Sequence, residues 1–152
     1  DINLHLPALL PEDYVPDVHL RLILYKRVAS ANSAAELREM QVELIDRFGL
    51  LPDAAGNLMR IAGIKLGAAA LGIDKIDATD SGGYLRFSEQ PKVDALKVIN
   101  LIQNEGRTYR MQGAHRLQFH LDLSDIETRF VQIERLLQML SPDGEASQAL
   151  TA

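Results

Sequence analysis

Residues 73–88 read IDKIDATDSGGYLRFS, and this stretch sets the fold class. Residues 73–79 and residues 84–88 are both strand-like runs rich in β-branched and aromatic side chains. Residues 80–83 between them are Asp-Ser-Gly-Gly, which has the chemistry of a turn. The sequence therefore predicts a β-hairpin at the middle of the chain.

A short strand and a long helix are predicted at the start of the chain. Apolar and polar residues alternate from Ile2 to Leu6, which is typical of a half-buried strand that ends at Pro7. Residues 9–16 then form an extended connector. From Asp17 to about Ala31 the apolar residues cover most of a helical wheel, so this helix is predicted to be central and largely buried.

Two further helices are predicted before the hairpin. Ser33 with Glu36 three residues later forms a capping box, and Gly49 follows the last residue of the helix that this box starts. The next helix begins at residues 52–53 and ends near Gly72. Its many small residues allow another backbone to approach closely.

The second half of the chain repeats the pattern of helix and hairpin. Residues 91–104 form an amphipathic helix, and residues 108–111 and 116–121 alternate around a turn as a second hairpin. Ser124 with Glu127 suggests another capping box, and the helix that follows carries one apolar stripe.

This order of elements predicts one α+β domain over residues 1–140. A strand and three helices precede a hairpin, a helix, a second hairpin and a last helix, which gives a small, mainly antiparallel sheet. Residues 141–152 are polar, with proline and glycine, and are predicted to be a disordered tail.

Composition excludes several classes of function. The chain has 152 residues, 47% of them hydrophobic, enough for one sizeable core. A net charge of -5 argues against sequence-independent binding to DNA and favours a basic partner surface. Cysteine is absent, which fits a reducing cytoplasm, and no run is long enough to span a membrane. The chain opens at Asp1 without methionine, so we expect a fragment of a longer protein.

The motifs of common active sites are missing from the sequence. Gly82-Gly83 lies between strands and lacks the lysine of a phosphate-binding loop. The four histidines form no i, i+4 pair, and no Gly-x-Ser-x-Gly elbow occurs. We therefore expect a chain that is not an enzyme, with no catalytic residues, no metal and no cofactor.

A cluster of basic and aromatic residues on the second hairpin offers one alternative function. Arg107, Tyr109, Arg110 and Arg116 could contact nucleic acid as an accessory binding surface. Such a cluster in an acidic domain is more often an ordinary solvated face, so direct binding of DNA is not the favoured reading.

The second helix carries a concentrated acidic face. At 100° per residue, Glu36, Glu39, Glu43 and Asp46 fall within a sector of roughly 80°, and we call these four residues the acidic ridge. Within the helix, Arg47 at i+4 from Glu43 offers partial neutralisation. The ridge predicts a site that binds a basic partner, with these four residues and Arg47 as the contacts.

An ordinary solvated helix face explains only part of this ridge. Negative charge near the start of a helix suits the helix dipole, which accounts for Glu36. Glu43 and Asp46 lie near the end, where the dipole disfavours them by a few tenths of a kcal/mol. On the residues alone, partner binding and simple solvation therefore remain comparably supported.

Two contiguous stretches resemble a known family. Residues 9–17 (LLPEDYVPD) with 21–22 (RL) and 25–31 (YKRVASA), and residues 42–52 (VELIDRFGLLP), are similar to the C-terminal domain of the transcription-repair coupling factor family. Weaker similarity continues through residues 71–73, 82–83 and 109–110 to the final helix. The resemblance covers the chain except its tail.

The resemblance implies a regulatory role. In this family an ATP-driven translocase acts on stalled RNA polymerase, and a UvrB-like N-terminal module recruits UvrA. The C-terminal domain resembles a clamp on that module, masking the UvrA-binding surface and restraining the motor. By this resemblance Glu43 and Asp46 contact arginines of the module, Glu39 adds to the negative field, and the domain is a cytoplasmic monomer that reaches UvrA and RNA polymerase through its parent.

Overall fold

The computed structural model describes residues 1–142, which form five helices and five strands. In chain order the elements are β1 (Ile2–Asn3), α1 (Val18–Ser30), α2 (Ala34–Phe48), α3 (Asp53–Ala70), β2 (Ile73–Thr79), β3 (Gly82–Phe87), α4 (Ala95–Asn104), β4 (Tyr109–Gln112), β5 (Arg116–His120) and α5 (Ile126–Leu140).

The strands form one sheet in the order β1-β2-β3-β5-β4. β1 runs parallel to β2, and every other neighbouring pair is antiparallel. The first hairpin turns through Asp80 and Ser81 alone, because Thr79 pairs with Gly82. The α+β fold with a small, mainly antiparallel sheet is therefore confirmed, although the first hairpin has a tighter turn than the sequence predicts.

Two hydrophobic cores divide the domain. The larger one fills the space between one face of the sheet and the helices α4, α5 and the second half of α3. The smaller one lies among α1, α2, the first half of α3 and the connector around Leu10 and Val15. α3 belongs to both cores, so it is the element that joins the three-helix part to the sheet.

Two arginines link α5 to other parts of the domain. Arg60 on α3 forms paired hydrogen bonds with Glu134 on α5 at 3.1 and 2.6 Å, and a third with Glu127 at 2.7 Å. Its guanidinium also stacks on the Phe130 ring, 4.6 Å from the centroid. Buried Arg129 on α5 donates to backbone carbonyls of the N-terminal segment and of the loop before α5.

Other boundaries also differ from the sequence prediction. β1 ends at Asn3 rather than Leu6, because His5 adopts a positive φ of 53° and its N–H bonds to the Asn3 side chain. α4 begins at Ala95 and not at residue 91, since Asp94 caps it. The cap of α5 is Asp125 rather than Ser124, whose hydroxyl donates to Asp122 instead.

The prediction that α1 is central and largely buried is wrong. Leu24 and Val28 are its buried residues, whereas Val18, Leu22 and Ile23 are exposed. A helical wheel shows which side chains are apolar, but α1 lies at the edge of the smaller core and contacts it along one side.

The predicted tail falls mostly outside the described residues. Ser141 is buried, and its carbonyl accepts a hydrogen bond of 2.6 Å from the Lys97 ammonium. Residues 143–152 lie outside the part of the chain that the structure describes.

Candidate protein-docking surface

Local signals at both ends fix the length of α2. The Ser33 hydroxyl accepts a hydrogen bond from the Glu36 N–H at 3.1 Å, and the Glu36 carboxylate accepts one from the Asn32 N–H at 2.8 Å. Gly49, with φ of 93°, stops the helix as predicted. The Glu36 side chain of the acidic ridge is thus used to cap the helix, which leaves it less available to a partner.

The core contacts of α2 fix which side faces outward. Leu37, Met40 and Leu44 are buried in the smaller core. Glu39 and Asp46 lie on the opposite side and are exposed. Neither of these two carboxylates forms a hydrogen bond or an ion pair within residues 1–142.

Glu43 is at the surface but already has partners. Arg27 on α1 donates to both of its carboxylate oxygens, at 2.6 and 3.3 Å. Arg47 lies 3.5 Å from one of those oxygens, as its i+4 position predicts. The hydrogen bond from Arg27 is the largest cause of a lowered pKa for Glu43, which keeps this carboxylate charged.

The structure therefore splits the predicted site into three parts. Glu36 acts as a cap, Glu43 and Arg47 belong to an internal ion-pair cluster, and Glu39 and Asp46 are unpaired. Sequence reasoning missed Arg27, which lies 16 positions before Glu43 and meets it only through the packing of α1 on α2.

Sequence reasoning also missed apolar side chains within the acidic ridge. Val42 is 59% exposed and, at i+3 from Glu39 and i−4 from Asp46, lies between these unpaired carboxylates on the helix surface. Ile45 and Leu50 are also exposed nearby on α2 and just beyond its end. An apolar residue inside a charged face was the available signal for a contact surface.

The basic cluster of the second hairpin is divided by the sheet. Tyr109 is buried in the larger core, so its ring is not available to stack on a base. Arg110 and Arg116 lie on the opposite face, and Arg116 stacks on Tyr84 at 4.2 Å from the ring centroid. Arg107 precedes β4 and lies outside the strand.

No group of three or more histidine, aspartate and glutamate side chains that could hold a metal ion occurs in residues 1–142. Over the same residues, no helix has the combination of length and apolarity that crossing a bilayer requires. The surface of α2 presents negatively charged hydrogen-bond acceptors around an apolar side chain.

Fold and surface together define an α+β domain that presents an acidic, partly apolar helix face on its exterior. A family model described as the TRCF domain matches residues 4–98. The chain is 48% identical over 93% of its length to a transcription-repair-coupling factor of Haemophilus influenzae, and 42% identical over 96% to one of Escherichia coli. The chain belongs to the transcription-repair coupling factor family, which confirms the resemblance seen in its sequence.

A solved structure shows the same fold. The crystal structure of a C-terminal domain of transcription-repair coupling factor superposes with a TM-score of 0.71, at 22% identity, and the match covers 92% of each chain. The chain spans 12% of the Haemophilus influenzae relative and 13% of the Escherichia coli relative. It therefore corresponds to a small part of proteins that act in transcription-coupled repair.

Proposed function

We propose that this chain is a non-catalytic regulatory domain that keeps a transcription-repair coupling factor closed by docking α2 on the UvrB-like N-terminal module of the same protein. In the docked state the surface that binds UvrA is masked and the ATP-driven translocase is restrained. The domain acts in the cytoplasm as a monomer and reaches UvrA and RNA polymerase only through its parent.

One observation carries the proposal: Glu39 and Asp46 are exposed beside Val42 and have no partner within residues 1–142. Unpaired carboxylates around an apolar residue fit a partner surface that presents arginines around a small hydrophobic patch. Because Glu39, Val42 and Asp46 recur on one side of the helix, the same partner surface can contact all three.

Glu43 has a different role in this contact than the sequence alone suggests. Its oxygens are held by Arg27, so an arginine of the module either displaces Arg27 or joins the cluster by a weaker, outer hydrogen bond. Either route yields less free energy than pairing with a free carboxylate. Such a contact fits a docked state that is favoured by only a few kcal/mol and that opens when polymerase engages.

The test is a titration of this chain against the UvrB-like module by calorimetry. We expect saturable binding of the wild-type chain. The affinity of the double variant Glu43→Arg with Asp46→Arg should be at least about tenfold lower. In the full-length parent the same pair of substitutions should raise both UvrA binding and basal ATPase activity.

A control of equal charge change is available outside α2. Asp80 is exposed in the turn of the first hairpin and Glu89 is exposed just after it. The variant Asp80→Arg with Glu89→Arg should bind the module as wild type does. If both double variants weaken binding equally, only net charge matters and the α2 site is wrong.

The competing function is an accessory domain that binds nucleic acid. It has some structural support, because Arg110 and Arg116 face outward from the same side of the sheet as Arg86. It predicts a mobility shift of DNA by the isolated chain with a steep dependence on salt. Absence of a shift at low salt, together with module binding, would favour the docking function.

A further inference from the structure

α1 carries an apolar stripe that the fold leaves uncovered. Val18, Leu22, Tyr25 and Ala29 recur at i, i+4, i+7 and i+11, which places them on one face of the helix. Val18 is 59% exposed and Leu22 is 56% exposed. This face is where the predicted burial of α1 fails, so a large apolar surface is left without a partner in residues 1–142.

The stripe leads into a groove between α1 and α3. The groove has a volume of about 430 Å³, and its walls include Tyr25 and Ala29 from α1 and Leu58, Ala62, Lys65 and Ala69 from α3. The Tyr25 hydroxyl accepts a hydrogen bond from the Leu10 N–H at 2.8 Å, so its polar end is already used within the fold. What the groove presents is therefore almost entirely apolar.

The dimensions of the groove fit a helix. The lining on α3 runs from Leu58 to Ala69, which is eleven helical steps, or roughly 16 Å at about 1.5 Å per step. That length corresponds to about three turns of a helix. On α1 the lining begins at Tyr25, and the exposed stripe continues it back to Val18. Alanines along the α3 wall let such a helix approach closely, as in other complexes where an amphipathic helix lies in a groove.

The charges beside the groove are positive. Lys65 is the charged side chain in its lining, and Lys26 is exposed on α1 next to Tyr25. The ammonium group of neither lysine forms an ion pair or a hydrogen bond within residues 1–142. In a chain with a net charge of -5, two unpaired lysines beside an apolar groove are complementary to acidic residues of a partner.

We propose that this groove binds an amphipathic, acidic helix of a second polypeptide. The aliphatic side of that helix lies against the alanines of α3 and the stripe of α1, and its glutamates or aspartates pair with Lys26 and Lys65. The choice of a second polypeptide rests on the proposed function. The groove is lined by α1, the residue after it and α3, and by no residue of α2, so docking through the outer face of α2 does not use the groove lining.

The experiment uses the isotope-labelled chain and two synthetic peptides of sixteen residues. Both peptides carry leucine and alanine on one helical face; one carries glutamate beside that face and the other carries lysine. We expect the glutamate peptide to give saturable changes in the amide resonances of α1 and α3, and the lysine peptide to bind at least about tenfold more weakly.

Charge reversal supplies the matched test. Lys26→Glu with Lys65→Glu should reverse the preference between the two peptides, whereas Lys92→Glu with Arg135→Glu, an equal change at exposed positions away from the groove, should not. Equal affinity for both peptides, no binding, or changes centred on the exposed Leu96 and Ile99 of α4 would overturn the proposal.

Two further arms separate this inference from the proposed function. Asp46→Arg weakens the docking contact but should leave peptide binding intact, so failure of one proposal does not imply failure of the other. Binding to the isolated chain but not to the full-length parent would show that the parent itself covers the groove, which overturns the assignment to a second polypeptide.

Discussion

The guanidinium of Arg27 on α1 holds both carboxylate oxygens of Glu43 on α2, with nitrogen–oxygen distances of 2.6 and 3.3 Å. The pair joins two helices of the smaller core at their outer edge. It also means that the Glu43 carboxylate of the acidic ridge is already paired with an arginine when no partner is bound. A basic partner of α2 therefore finds Glu43 already paired, whereas Asp46 is unpaired within residues 1–142.

Removing Arg27 should raise the pKa of Glu43 towards its ordinary value of 4.5, because the hydrogen bond from Arg27 is the largest cause of the lowered pKa. Carbon-detected NMR titration of the Glu43 carboxyl in Arg27→Ala measures this directly. Lys26→Ala, which removes a neighbouring unpaired cation, should leave the titration midpoint close to that of wild type.

The same pair makes a small, pH-dependent contribution to stability. A carboxylate whose pKa is lowered by folding stabilises the fold above its unfolded pKa, and this stabilisation is lost as the pH falls through the folded pKa. Both side chains are more than a third exposed, so the contribution is about 0.2–1 kcal/mol. Urea unfolding of wild type and Arg27→Ala should differ near neutral pH and converge in acid; a constant difference would assign the effect to packing instead.

Single charge reversals should show which carboxylate of α2, Glu43 or Asp46, contributes more to docking. Because Asp46 has no partner and Glu43 has two, Asp46→Arg should weaken binding of the UvrB-like module by roughly tenfold, and Glu43→Arg by less. Calorimetric titration of both variants checks the order. A larger loss for Glu43→Arg would mean that docking opens the pair with Arg27.

Features that depend on residues close together in the sequence were predictable, and the ends of α2 show why. Ser33 and Gly49 act through residues at most four positions away, so the limits of the helix follow from the sequence. The first hairpin likewise follows from its turn residues and its flanking strands.

Features that depend on packing between distant elements were not predictable. The contact of Arg27 with Glu43 requires the relative placement of two helices. The exposed stripe of α1 arises because the chain builds two cores and places α1 at the edge of the smaller one. A wheel of apolar residues carries no information on which sides another element will cover.

Replacement of glycine by alanine should have opposite effects on stability at Gly63 and at Gly83. A β-carbon on Gly63, in the interior of α3, would meet no atom within 4 Å, so Gly63→Ala should stabilise the fold by about 0.5–1 kcal/mol through helix propensity. A β-carbon on Gly83 would overlap the backbone carbonyl oxygen of Asp77 in the neighbouring strand. Gly83→Ala should therefore destabilise by at least about 1–3 kcal/mol.

Thermal and urea unfolding of the two variants measure this contrast. Gly56→Ala, a second open position on α3, should behave as Gly63→Ala does. Destabilisation by both α3 substitutions, with no loss at Gly83, would contradict the packing described for α3 and the first hairpin.

Arg129 should be the most sensitive charged residue of the larger core. It is 6% exposed, and its guanidinium donates to the carbonyls of Leu123 at 2.9 Å, Leu4 at 2.8 Å and His5 at 3.3 Å. One side chain thus ties the N-terminal segment and the loop before α5 to the same helix. Arg129→Met keeps much of the apolar stem but leaves these acceptors without a donor, at a cost of roughly 2–5 kcal/mol.

Lysine should not restore the stability, because a single ammonium cannot reproduce the fixed, forked geometry with which the guanidinium reaches separate carbonyls. Arg135→Met is the matched control on α5, since Arg135 is exposed, and it should change stability by no more than about 0.5 kcal/mol. Urea unfolding gives the energies, and hydrogen exchange at Ile76, whose N–H bonds to the Asp1 carbonyl, reports whether the N-terminal strand detaches. Equal stability of Arg129→Met and Arg135→Met would show that the N-terminal segment is held by its strand pairing with β2 alone.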